Sequence, residues 1–126
     1  MSQNMSRIIP IYNSQGEAEA FLAFPHVYNR NGEWIGWATP KREVYSVLGF
    51  YVGSLTNDPR IVRNRSGDLE KPNMKPPAYQ GRITIPANVP LAPMMKELTH
   101  SLIDVLSEEP ERLHTVDSGE LRDDLD

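Results

Sequence analysis

A short phrase recurs four times in the first half of this 126-residue chain, and it restricts the fold more than any other feature. It reads Ile11-Tyr12-Asn13-Ser14-Gln15-Gly16, then Val27-Tyr28-Asn29-Arg30-Asn31-Gly32. It returns as Val44-Tyr45-Ser46-Val47-Leu48-Gly49 and, altered, as Val62-Arg63-Asn64-Arg65-Ser66-Gly67. Gly16, Gly32, Gly49 and Gly67 stand 16, 17 and 18 residues apart, a period that fits one β-hairpin repeated in tandem. Asn13, Asn29, Ser46 and Asn64 each lie three residues before the glycine. That is the type I turn pattern: the first side chain bonds the backbone ahead, and the glycine supplies a left-handed residue and a bulge.

The returning arms also match. Ala20, Gly36 and Gly53 each fall four positions past a turn. A small residue repeated at one place in a strand marks either close approach of a neighbouring backbone or a bulge. The linkers are short and contain Pro25, Pro40 and Pro59, so consecutive hairpins give an antiparallel meander rather than parallel βαβ units. The fourth return strand is broken by Pro72, Pro76 and Pro77, which cannot donate to a ladder. The stretch 81–85 (Gly-Arg-Ile-Thr-Ile) has the character to close the sheet after that detour.

The repeat form apolar-Tyr-Asn-x-x-Gly-Glu-x-x-Gly-Trp is best matched by Tyr28-Asn29-Arg30-Asn31-Gly32-Glu33-Trp34-Ile35-Gly36-Trp37 and Tyr45-Ser46-Val47-Leu48-Gly49-Phe50-Tyr51-Val52-Gly53. Tandem hairpins of this form, from Ile8 to Leu69, resemble the four-fold β-flower family, small bacterial proteins built of such repeats. The resemblance implies a mainly β, pseudo-symmetric flower or open barrel of four hairpins, and it carries over no catalytic residues. Two departures stand out: Ala20-Phe21 replaces Gly-Trp in the first unit, and Arg63 replaces the tyrosine in the fourth.

Beyond the repeats the chain divides by composition. A polar tail (1–7) precedes the hairpin region (8–70), and a proline-rich extended segment (71–93) follows. Met94, Met95, Leu98, Leu102, Val105 and Leu106 have the spacing of an amphipathic α-helix, predicted within 94–113. Such a helix either docks on the β module or serves a partner. An acidic tail (114–126) closes the chain. Pro90-Leu91-Ala92-Pro93 matches Pro-x-x-Pro without a flanking arginine, so starting the helix is its better role.

Charge divides the same way: residues 1–82 hold 10 basic and 7 acidic side chains, and residues 83–126 hold 3 and 10. No dense basic stripe exists to displace counterions from a phosphate backbone, which argues against nucleic acid. With no cysteine, neither a disulfide framework nor a thiolate metal site is possible. Met1 to Arg7 is not an apolar signal core, and no window approaches the ~18 apolar residues of a membrane span, so a cytoplasmic location is expected.

Catalytic chemistry finds little support. The three histidines, His26, His100 and His114, share no ligand spacing, and no phosphate-binding loop or nucleophile elbow occurs. His114 with Asp117 and Ser118 is a conceivable hydrolytic group in an unsupported tail. No metal and no cofactor is expected. Two features bear on binding. Arg60, Arg63 and Arg65, with Lys41 and Arg42 in another linker, form a candidate site for a small anion or ligand, or else a charged edge that discourages strand pairing. Tyr12, Tyr28, Tyr45, Trp34 and Trp37 are either cross-strand packing or an outward-facing platform. The expected role is a β-repeat module acting through a protein partner or self-association, with small-anion binding at the arginines as the alternative.

Overall fold

The computed structural model describes residues 7–67 and 71–117. One eight-stranded antiparallel sheet runs in sequence order, curled into a half-barrel. Its strands are β1 (Ile9–Tyr12), β2 (Ala18–Ala23), β3 (His26–Asn29), β4 (Trp34–Ala38), β5 (Glu43–Ser46), β6 (Tyr51–Leu55), β7 (Ile61–Asn64) and β8 (Leu102–Asp104). They form four hairpins, or petals, and the first three carry their bulge at one place, between the apolar residue and the tyrosine of each phrase.

The turns are built as the repeated phrase requires. Asn13 Oδ1 accepts hydrogen bonds from the Gln15 and Glu17 amides, and Asn29 Oδ1 does the same for Asn31 and Glu33. Ser46 Oγ plays this part in the third petal. All four turn glycines have positive φ. The linkers reuse the device: Thr39 Oγ1 accepts from the Lys41 and Glu43 amides, and Arg42, at φ 68, takes the glycine's place. Its guanidinium is spent on the carbonyls of Leu55 and Thr56.

Alternation along the strands sorts the apolar residues onto two faces. Ile11, Val27, Val44 and Ile61, with Leu22, Ile35 and Val52, make one core, completed by Val105 and Leu113 from the C-terminal segment. Tyr28, Trp34, Trp37, Tyr45, Val47 and Tyr51 make the other. The recurring small residue marks close backbone approach. A Cβ on Gly36 would stand 2.6 Å from Tyr45 O and 2.7 Å from a methyl of Leu113, and one on Gly53 would stand 2.6 Å from Val62 O.

Two expectations are corrected. The stretch 81–85 does not close the sheet; Leu102–Asp104 does, pairing Val62 with Asp104, Arg63 with Ile103 and Asn64 with Leu102. The sheet thus takes its last strand from beyond residue 70. The helix expected within 94–113 shrinks to α1 (Val105–Glu108) and a 3₁₀ turn at Pro110–Arg112. The reason for both is that β7 needs a partner for its backbone groups, and Leu102-Ile103 supplies one while Met94 stays almost fully exposed. The apolar spacing read as one helix face belongs to a strand followed by a tight turn.

The proline-rich stretch is a belt over the petal tips. The Met74 amide donates to Gly49 O and the Ile83 amide to Gly32 O, each at 2.9 Å. Ala92 Cβ lies 3.6 Å from where a Gly16 Cβ would be, and Ser101 O accepts from the Arg65 amide at 2.7 Å. Residues 74, 83, 92 and 101 are nine apart, so the belt visits petals 3, 2, 1 and 4 with a period of its own. Nine residues in extended polyproline geometry span about 28 Å.

Candidate functional site

The three arginines expected to form a ligand site are held separately. Arg60, just before β7, is buried, and a buried guanidinium has to be paired. Its Nε donates to Asp58 Oδ2 at 3.0 Å, Nη1 to Ser14 Oγ at 3.0 Å and Nη2 to Lys96 O at 2.9 Å. Burial would raise the Asp58 pKa, but hydrogen bonds from Thr56 and Arg60 outweigh it and hold the carboxyl below its ordinary value. Arg63, in β7, donates from Nε and Nη2 to the two oxygens of Glu109, both at 2.7 Å. Arg112 Nε adds a third bond at 2.6 Å. The Arg63 hydrogen bonds, offset by burial and reinforced by Arg112, hold the Glu109 pKa down at about 2. Arg65 lies on the exposed turn and donates from Nε to His100 O. The three guanidinium groups do not meet at one site.

Petals 1 and 4 meet at a seam that sequence reasoning did not find. In petals 2 and 3 a linker carbonyl, Pro25 or Arg42, accepts from the petal's own return strand at Ala38 or Leu55. In petal 4 the strand ends at Asp104, and Pro59 O accepts instead from the Tyr12 amide at 3.0 Å. Asp104 faces Val62, the register place held elsewhere by Ala20, Gly36 and Gly53. Its Oδ2 accepts from the Ser14 amide at 2.6 Å and from Ser107 Oγ at 3.1 Å. No alignment of the phrases reveals this, because the fourth return strand is displaced by about thirty residues of belt.

The aromatic set is packing. Tyr12, Tyr28, Tyr45, Trp34 and Trp37 are all buried; Trp37 stacks on Tyr45 at 5.0 Å and donates from Nε1 to Ser46 O. His26 sits edge-on to Trp34, and burial lowers its pKa. His100 is exposed, and His114 Nδ1 lies 2.9 Å from Thr115 O. Ser118, proposed beside it, lies outside the described residues. Among the described residues no three metal-ligating side chains gather, and no helix is long and apolar enough to cross a membrane.

One petal tip differs from its equivalents. Gln15 and Glu17 in petal 1 and Asn31 and Glu33 in petal 2 are replaced in petal 3 by Leu48 and Phe50. Glu17 and Glu33 each accept a bond from their turn asparagine, at 2.8 and 2.9 Å. Leu48 and Phe50 instead project into solvent, 42% and 51% exposed, beside Met74 of the belt, 41% exposed. Lys71 and Lys75 bracket that methionine in sequence. Side-by-side comparison of the repeats was the signal for this tip.

The geometry therefore defines a pseudo-symmetric meander of four β-hairpins with a belt across their tips. A family model described as 4-fold beta flower protein matches residues 9–100, and the chain belongs to that family. No curated protein and no solved structure matches it.

Proposed function

We propose that the protein is a non-enzymatic cytoplasmic module that binds a protein partner through the tip of its third petal. The observation that carries this is the departure from pseudo-symmetry: Leu48 and Phe50 are exposed where two sister petals make the same turn with polar residues. The fold does not require them there. An apolar patch kept in solvent marks an interaction surface.

The chemistry of the partner follows from the surroundings. Three side chains are far less than the ~800 Å² per partner of a standard stable interface, so a short segment suits the tip better than a second copy. Exposed Lys75, next to Met74, favours carboxylates on that segment, whereas Lys71 is already paired with Glu43 at 3.4 Å and lies over the Tyr51 ring. The occupant is a short apolar stretch flanked by Asp or Glu.

The test is a peptide-display selection on the full chain, with the Leu48→Gln/Phe50→Glu variant as counter-selection. That variant restores residues already used in petal 1, so the turn should form. Enrichment of apolar sequences carrying acidic residues supports the reading. Enrichment of basic sequences, or none beyond the counter-selected pool, overturns it. Dimerisation in light scattering that disappears in the variant would overturn the separate partner in favour of a second copy.

A further inference from the structure

The seam between petals 1 and 4 holds a cleft of about 380 Å³, toward the small end for ligand pockets. Its polar lining falls into two groups. Ser14, Gln15, Asp104, Ser107 and Glu108 line it from the first turn, β8 and α1, and Arg65, Thr99 and His100 line it from the fourth turn and the end of the belt.

The first group is rich in acceptors and is internally organised. Ser107 Oγ bonds both Gln15 Oε1, at 2.9 Å, and Asp104 Oδ2. Asp104 is only 3% exposed, yet its Oδ1 has no hydrogen-bond partner among the described residues. A buried carboxylate oxygen left so is costly, and a donor brought by a ligand would remove that cost. The second group is rich in donors. Arg65 spends only Nε on His100 O, and its Nη1 and Nη2 have no partner among the described residues. A guanidinium presented this way favours a carboxylate.

We propose that this cleft binds a small zwitterion, a free amino acid, with the ammonium toward Asp104 and Glu108 and the carboxylate toward Arg65. A plain anion would meet the two carboxylates, and a plain cation would meet Arg65. Only a molecule carrying both charges is favoured by both groups. The site is separate from the tip of petal 3 and stands or falls independently of it.

The experiment is amide NMR on the full ¹⁵N-labelled chain, titrated with pools of the twenty amino acids, and with propylammonium and propionate as single-charge controls. Saturable shifts at Gln15, Arg65, Ser107 and Glu108, with at least tenfold weaker response to either control, are expected. Arg65→Ala and Glu108→Gln change exposed side chains and should each weaken binding severalfold without altering the rest of the spectrum. Absence of saturable shifts with every pool overturns the proposal. So does an equal response to propionate alone, which means an anion site, or to propylammonium alone, which means a cation site.

Discussion

Arg63 occupies the position at which the other three petals carry tyrosine, and its guanidinium is clamped on Glu109, 46 residues away, by two 2.7 Å hydrogen bonds. The fourth petal thus replaces aromatic packing with a fork between a strand and the turn that follows α1. This pair ties the C-terminal segment to β7 alongside the β7–β8 pairing and the burial of Val105 and Leu113.

Arg63→Tyr restores the residue type of the sister petals but leaves Glu109 to Arg112 alone. Removing one partner of a fully buried pair costs about 3–5 kcal/mol; Glu109 meets some solvent, so about 2–3 kcal/mol is expected here. The double variant Arg63→Tyr/Glu109→Gln should regain much of that loss. Urea denaturation of the four species gives the cycle, and additive losses would mean the pair is not coupled.

Acid should dissolve the same clamp. The Glu109 pKa is held down at about 2 in the folded chain, well below the ordinary 4.5. A depressed carboxyl pKa contributes stability that is complete above the unfolded value and is lost as pH falls toward the folded one. That share of stability is lost between about pH 5 and pH 2. Glu109→Gln should flatten that part of the stability profile. His26 acts at higher pH: burial disfavours its charged form, so its share of stability falls as pH drops below 6.5. The two regions separate in an acid titration followed by tryptophan fluorescence.

Crowding at the repeated small position gives a graded test. Gly36→Ala and Gly53→Ala would each place a Cβ 2.6 Å from a neighbouring carbonyl oxygen, and about 3 kcal/mol is expected from such overpacking against backbone. Gly67→Ala meets nothing within 4 Å among the described residues but must hold φ +95. It should cost only the about 1–2 kcal/mol of a left-handed residue. Thermal melts should rank Gly67→Ala well above the other two.

The residues that wrote the turns were legible, because Asn-x-x-Gly and Ser-x-x-Gly signals are local and recur in register with the hairpins. Ala20, Gly36 and Gly53 left close approach and a bulge both open, and the contacts at Gly36 and Gly53 decide for close approach. The fourth return strand was not legible. Leu102-Ile103-Asp104 is only three residues long, and it sits within an apolar spacing that a helix satisfies equally well. Pairing with β7 decided between the two, and that is a tertiary fact. Arg60 and Arg63 misled for a related reason: exposure cannot be read from residue type, and their partners Asp58 and Glu109 lie on different loops. Thr39, and Thr56, whose Oγ1 accepts from the Arg60 amide in the next linker, escaped notice because their turns lack glycine, Arg42 taking the left-handed place in the first.

The belt predicts a selective loss. A Cβ on Gly32 would stand 2.0 Å from Ile83 O, and one on Gly49 would stand 2.2 Å from Met74 O. In both cases the obstacle is backbone, so no side-chain rotation relieves it, and the belt must lift. Each alanine variant should therefore break one tip contact, the Ile83 amide bond to Gly32 O or the Met74 amide bond to Gly49 O. Hydrogen exchange should show faster exchange at Ile83 in Gly32→Ala and at Met74 in Gly49→Ala, with the central strands β3 to β6 still protected. Gly67→Ala, equally left-handed but with no described residue within 4 Å, separates belt displacement from turn strain and should leave both amides unchanged. If Gly32→Ala speeds exchange through the whole sheet, the belt is integral to the fold rather than laid across it.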